Sequence, residues 1–144
     1  MVIILRGPSG AGKSTYAKLA FPNAIKVSAD DFFMVGGEYK FDPAKPSKAH
    51  GACMRKFIEA VQKPDVTIVV DNTNTTLAEV APYAAAALAF DHELEIITFV
   101  GDYIKAAKRN VHLVPATTVM AMSQRIEEQT KLFPPWWKHS TREF

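Results

Sequence analysis

An α/β fold, with a parallel sheet of four or five strands flanked by helices, is predicted by three features of the sequence. Short apolar runs rich in β-branched residues recur at 2–5, 24–27, 66–70 and 94–100, with helical segments between them. The first run, Val2-Ile3-Ile4-Leu5, leads at once into a glycine-rich turn. The chain of 144 residues is 48% apolar and 22% charged, enough to bury one core in a single domain spanning 1–144. Parallel strands joined by helices need right-handed crossovers, which cover both faces of the sheet.

The elements follow in order. Ser14 to about Ala20 reads as a helix that stops before Pro22. Ala24-Ile25-Lys26-Val27 is a short second strand, and the Gly- and Pro-rich stretch from Val35 to Pro46 is loop. A helix with Ser47 as N-cap runs to Lys63, with Ala49, Cys53, Phe57 and Val61 as its apolar stripe. Val66-Thr67-Ile68-Val69-Val70 is a buried strand ending at Asp71. Thr76-Leu77-Ala78-Glu79 fits a capping box opening a helix to about Phe90. After the Leu94–Val100 strand, Asp102 caps a helix to Arg109, and Pro115 begins a last helix ending near Thr130. Phe133-Pro134-Pro135-Trp136-Trp137 fits a nucleobase wall, a partner site or a tail packed on the sheet equally well.

The turn after the first strand reads Gly7-Pro8-Ser9-Gly10-Ala11-Gly12-Lys13-Ser14-Thr15, the full spacing of a P-loop. Its glycines allow successive backbone N–H groups to turn onto phosphate oxygens, and the following helix adds its positive end. From Gly7, Ser9, Gly10, Ala11, Gly12, Lys13, Ser14 and Thr15, this spacing predicts an ATP-binding loop. Lys13 is expected on the β- and γ-phosphates and Ser14 on Mg²⁺. The expected architecture is therefore a three-layer P-loop NTPase resembling nucleoside monophosphate kinases. No Asn-Lys-x-Asp occurs, which argues against a GTPase.

Two acidic positions follow strands, where ligands of open α/β sheets bind. Asp71 stands where a carboxylate helps Ser14 hold Mg²⁺, with an Asx turn into Asn72-Thr73-Asn74 as the bland alternative. Asp30-Asp31 stands past the second strand, where Asp30 can take the proton of an attacking hydroxyl. Phe32, Phe33, Tyr39 and Phe41 surround that loop, either to stack a base or to form a minicore.

With these motifs in place, the chain resembles the polynucleotide 5′-hydroxyl kinases of bacteriophages. It is still more similar to a group of small P-loop ATPases of phages and eukaryotes sharing that core. The resemblance rests on the P-loop, Ser28-Ala29-Asp30-Asp31, Asp71-Asn72-Thr73-Asn74 and a lid stretch from Lys108 to Pro115, within about 105–118. It implies Asp30 as general base and Arg109 as a lid cation over the ATP phosphates. Arg125, mid-helix, is read as a nucleotide contact or a surface ion-pair partner, and Asp31, Phe33, His50 and Asn74 are the further candidates toward the substrate. Two positions depart from the end-kinases: Phe33 and His112 stand where they carry arginines. Related phage kinases phosphorylate a hydroxymethylated pyrimidine within DNA, an acceptor that needs a base pocket.

The expected activity is ATP- and Mg²⁺-dependent phosphoryl transfer to a hydroxyl, on a 5′-hydroxyl end or a hydroxymethylated pyrimidine. The alternatives are a small-molecule kinase acting on a nucleoside, sugar or antibiotic, and a nucleotide-binding adaptor without catalysis. Net charge is +2, but Lys and Arg gather at 40–63 and 105–142 and are missing between Lys63 and Lys105, a distribution suited to a nucleic-acid partner. The lone Cys53 excludes an internal disulfide and argues against zinc. The chain has neither an apolar run long enough to span a bilayer nor a signal-peptide pattern at Met1, so a cytoplasmic protein is expected.

Overall fold

The computed structural model describes residues 1–144. In chain order the elements are β1 (Val2–Arg6), α1 (Lys13–Ala20), β2 (Ile25–Val27), a 3₁₀ turn (Ala29–Phe33), β3 (Met34–Val35), β4 (Glu38–Tyr39), α2 (Pro46–Val61), β5 (Ile68–Asp71), α3 (Leu77–Ala89), β6 (Leu94–Val100), α4 (Tyr103–Arg109), α5 (Ala116–Thr130) and β7 (His139–Glu143). Five strands form one parallel sheet in the order β2-β5-β1-β6-β7.

β1 lies in the middle and is buried on both sides, as its unbroken apolar run requires. On one face Val2, Ile4, Ile68, Val70 and Ile96 pack under α2 and α3. On the other, Ile3, Leu5, Val69 and Phe99 pack with Ala17 of α1. The capping box of α3 forms as expected: Glu79 N donates to Thr76 Oγ1 at 3.2 Å and Thr76 N to a Glu79 carboxylate oxygen at 2.9 Å. Asp102 Oδ1 accepts from Ile104 N at 2.8 Å, so α4 also starts where its cap predicts.

One strand of the expected four or five goes unread in the sequence, and two expectations need correction. The fifth strand, β7, is His-Ser-Thr-Arg-Glu, and an edge strand of polar residues leaves no apolar pattern to read. The residues before it carry the chain from α5 back to the sheet. Phe133 and Trp137 pack on the larger core layer while Trp136 is 73% exposed. Within the expected loop at 35–46, β3 and β4 pair as a small hairpin turned by Gly36 and Gly37, both at positive φ. The helix expected to start from Ser47 begins at Pro46, with the proline in its first turn and no side-chain cap.

Candidate active site

The phosphate loop owes its shape to the two elements it joins. β1 delivers the chain to Gly7, whose N–H donates to the Thr73 carbonyl at 3.0 Å. A Cβ on Gly7 would sit 2.8 Å from that of Phe99, so the close approach requires glycine. Gly10 and Gly12 hold φ of 84° and 87°, turning the loop into the start of α1. Contrary to the expectation for Gly7 and Ala11, their N–H groups are taken within the protein. Ala11 N donates to the Pro8 carbonyl at 3.2 Å, and its side chain is buried.

Lys13 is buried rather than exposed on the loop, and its ammonium donates to the Gly7 and Pro8 carbonyls at 2.9 and 3.0 Å. Burial pushes it down to about 8, against the opposing pull of Asp71 and Asp30. An ammonium folded back on its own loop, short of compensating negative charge, suits a site that receives anions.

Ser14 Oγ donates to Asp71 Oδ2 at 2.7 Å, so the hydroxyl and carboxylate expected on one metal ion are already side by side. Both are hard oxygen donors, the type Mg²⁺ takes when nucleotide phosphates and water complete its shell. Lys26 Nζ lies 3.5 Å from the same Asp71 oxygen; sequence reasoning missed this lysine because it looks like an ordinary residue of a short edge strand.

Asp30 follows β2 in the 3₁₀ turn, where Ser28 Oγ caps the turn by accepting from Asp30 N at 3.3 Å. Ser28 is therefore the cap, and the Asp30 side chain is free to face the cleft. Tyr39 Oη donates to Asp30 Oδ1 at 3.2 Å, and His112 Nε2 lies 3.5 Å from Oδ2. Burial first, then the Asp30 charge, pushes the Tyr39 phenol up to about 12. Arg109 reaches back from the end of α4, with Nη2 donating to the Gly10 carbonyl at 3.1 Å.

One cleft of about 360 Å³ gathers Ser9, Gly10, Gly12, Lys13, Ser14, Thr15, Asp30, Asp71 and Arg109. Asn72, Thr73, Val111 and His112 line it as well. The sequence signal for His112 was its place in the lid stretch.

Five expected site residues lie elsewhere. Phe33 is 5% exposed and packs on Tyr39 and Phe41, so it belongs to the core. Asn74 is buried: its Nδ2 donates to the Leu5 carbonyl at 2.7 Å, and its own carbonyl accepts from Arg6 Nε at 2.7 Å. Asp31 is exposed and pairs with Lys56 at 3.3 Å. His50 on α2 and Arg125 on α5 are exposed and do not line the cleft. Arg125 follows a helical period that turns it outward, while its neighbour Ile126 is buried.

A parallel sheet with a phosphate loop after its central strand and a carboxylate beside the loop's serine defines a P-loop kinase-like domain. The chain belongs to the AAA domain family, which it matches over residues 2–135. It is 29% identical over 136 residues to the human (Homo sapiens) NEDD4-binding protein 2, covering 88% of this chain and 8% of that protein. The chain thus spans less than a tenth of that relative's length. Among solved structures, the AvrRxo1-ORF1:-ORF2 complex with ATP superposes with a TM-score of 0.68 at 16% identity, over 92% of this chain and 48% of that one. A shikimate kinase from Aquifex aeolicus gives 0.62 at 10% identity, covering 98% and 85%. A gluconokinase from Sinorhizobium meliloti gives 0.57 at 13%, covering 99% and 81%. These likenesses establish the α/β P-loop fold. No helix is long and apolar enough to cross a membrane.

Proposed function

We propose that this domain is an ATP-dependent kinase that transfers the γ-phosphoryl group to a hydroxyl carried by a polynucleotide. The observation that carries the reading is Asp30, a half-exposed carboxylate in the same cleft as the phosphate loop, with Oδ2 turned toward the lid. A nucleotide-binding module without an acceptor has no need of a proton acceptor there.

In this reading the free loop amides and Lys13 would hold the phosphates, and Ser14 with Asp71 would hold Mg²⁺. Mg²⁺ neutralises charge on the transferring group when bound. Asp30 Oδ2 takes the acceptor's proton as the new O–P bond forms and the bond from the γ-phosphorus to ADP breaks. Arg109 would swing from the Gly10 carbonyl to the developing phosphoryl charge.

A polynucleotide acceptor is supported by the surface around Asp30. Phe32, Met34, Val35 and Phe41 are 39–56% exposed beside it, and Val111 and Leu113 of the lid are 83% and 88% exposed. Such apolar faces suit stacking of unpaired bases. Lys48 and Arg55, exposed on α2, make no ion pair and could meet phosphates. A small-molecule acceptor is favoured by different observations: the modest volume of the cleft and the sugar- and shikimate-kinase names among the structural neighbours.

The deciding experiment measures single-turnover transfer from ATP to an acceptor panel. The panel contains 5′-hydroxyl oligonucleotides, DNA with hydroxymethylated pyrimidines, nucleosides and sugars. Asp30→Asn is expected to lower the rate by ~10²–10⁴-fold and leave ATP affinity within a few-fold. Asp31→Asn, which loses only a surface pair, is expected to keep it. Full activity of Asp30→Asn would refute Asp30 as the base, and transfer confined to sugars or nucleosides would refute the polynucleotide.

A further inference from the structure

Asp30 is met by one residue of the β3–β4 hairpin and one of the lid stretch. Its carboxylate accepts a hydrogen bond from Tyr39 and lies in ion-pair range of His112. Tyr39 lies on β4 and pairs with Met34 across the hairpin, while Lys40 N donates to the Phe33 carbonyl at 2.8 Å. The Tyr39 ring packs edge-on against buried Phe33, with centroids 6.1 Å apart, so the phenol is anchored to the core. Its hydroxyl meets one oxygen of Asp30 and leaves the other open.

His112 arrives from the opposite side of the cleft. Its loop is shaped by Asn110, whose Nδ2 donates to the Ala107 and Val114 carbonyls at 2.8 and 3.0 Å while Oδ1 accepts from Val114 N at 2.7 Å. Leu113 is held at a φ of 56°, a conformation L side chains rarely adopt. The loop therefore presents His112 in a set direction. There its ring lies 4.2 Å from that of Tyr39, with Nε2 over the open oxygen of Asp30.

We propose that Tyr39 is a positioning residue for the base and that His112 closes the acceptor position when the lid docks on Tyr39. Tyr39 occupies Oδ1 so that Oδ2 is the oxygen offered to the acceptor hydroxyl, whose oxygen sits beside the pair within reach of both Oδ2 and His112 Nε2. Lid docking and orientation of the base are then one event, because the same phenol ring carries both contacts. The phenol keeps its proton throughout the working pH range, and so remains a donor. This inference rests on the reading of Asp30 as the general base.

The test compares Tyr39→Phe, His112→Gln and Asp30→Asn with the double variant Tyr39→Phe/Asp30→Asn. The readout is transfer from saturating Mg²⁺-ATP to a 5′-hydroxyl oligonucleotide, with hydrolysis to water as a second acceptor. Tyr39→Phe keeps the ring and is expected to fold with an unchanged thermal midpoint. It should lose about tenfold or more in single-turnover rate, the usual effect of removing a hydrogen bond to a charged group. Its ATP dissociation constant should not move. His112→Gln should raise the acceptor KM more than it lowers kcat. In the Asp30→Asn background, Tyr39→Phe should cost nothing further, because Tyr39 acts through that carboxylate.

A Tyr39→Phe protein with wild-type rate, or an equal loss in both backgrounds, would overturn the inference while leaving Asp30 in place. Asp30→Asn at full rate, or no transfer and no hydrolysis by the wild type, would overturn the underlying reading and this inference with it.

Discussion

The Ser14 hydroxyl and the Asp71 carboxylate meet at 2.7 Å although 57 residues separate them in the chain. Sheet order produces the contact. β5 lies directly beside β1 and runs parallel to it, with Leu5 paired to Asp71, so the strand carrying the acid ends level with the loop carrying the hydroxyl. β2, on the far side of β5, brings Lys26 to 3.5 Å from the same carboxylate oxygen.

If the Ser14–Asp71 pair holds Mg²⁺ as proposed, Lys26 competes with it for the same carboxylate oxygen. Two unit positive charges about 4 Å apart repel by about 1 kcal/mol in bulk water and about 4 kcal/mol near a protein surface, so even the well-screened limit is several-fold in affinity. Lys26→Gln is expected to lower the free Mg²⁺ needed for half-maximal ATP turnover by about three- to tenfold, read from a Mg²⁺ titration at fixed ATP. An increased Mg²⁺ requirement would mean that Lys26 helps hold the nucleotide instead.

A pH effect is expected at His139, on the edge strand β7. Its Nε2 lies 2.9 Å from Thr98 Oγ1 and its ring packs against Phe133. Burial lowers its pKa below the ordinary value of 6.5, and the nearby Arg6 charge adds to this. In the unfolded chain the imidazole binds a proton more readily, so the unfolded state takes up more protons as pH drops below 6.5. This contribution to stability is full above that pH and is lost on acidification through the folded-state pKa. His139→Gln should flatten the fall in urea midpoint between about pH 6.5 and 5. An unchanged acid limb would show that other groups govern it.

How much of this was legible in the sequence varied with how local the signal was. The Thr76–Glu79 box and the Asp102 cap are short motifs whose geometry lies within a few residues, and both form where expected. Phe33 and Asn74 were misread because their neighbours in sequence, Asp30 and Asp71, do line the cleft. Only the turn geometry decides which side chain points in, and for both residues it favours burial. Tyr39 and His112 were present as letters, but their meeting depends on a hairpin and a lid closing from opposite sides. β7 left no trace because an edge strand can be wholly polar.

Gly10 couples the phosphate loop to the lid helix. A Cβ there would lie 1.8 Å from the Ala106 carbonyl oxygen, and φ is 84°. Gly10→Ala must therefore lift α4 and strain the loop, each costing about 1–3 kcal/mol. Its Arg109 contact at the Gly10 carbonyl would shift too. The variant should melt several degrees lower and lose ATP binding in calorimetry. Gly36→Ala, where a Cβ meets nothing within 4 Å, is the control for positive φ without the clash. Equal losses in the two would show that the α4 contact does not matter.

Arg6 ends β1, one residue before the phosphate loop, and is fully buried. Nε donates to the Asn74 carbonyl at 2.7 Å, Nη2 to the Thr75 and Ile126 carbonyls at 3.1 and 3.0 Å, and Nη1 to Thr130 Oγ1. The guanidinium also lies over the Phe133 ring, 4.8 Å from its centroid. Burial pushes it down to about 10, with Glu79 pulling the other way, so the group stays charged at neutral pH. One side chain thus ties the loop strand to the turn after β5, to α5 and to the segment leading to β7. Removing it leaves three carbonyls without that donor inside the fold, and losing one partner of a buried charged network costs about 3–5 kcal/mol. Arg6→Met keeps the length and the contact with Phe133 but removes every donor. It is expected to cut the urea unfolding free energy by about that amount. Arg6→Lys should recover only part of it, because one ammonium cannot reach donors spread over a planar fork. ATP affinity measured below the melting transition should fall far less than stability, since Arg6 is absent from the cleft lining. If Arg6→Met unfolds like the wild type, the network is not what joins these elements. If it keeps its stability but loses nucleotide binding, Arg6 shapes the phosphate loop instead.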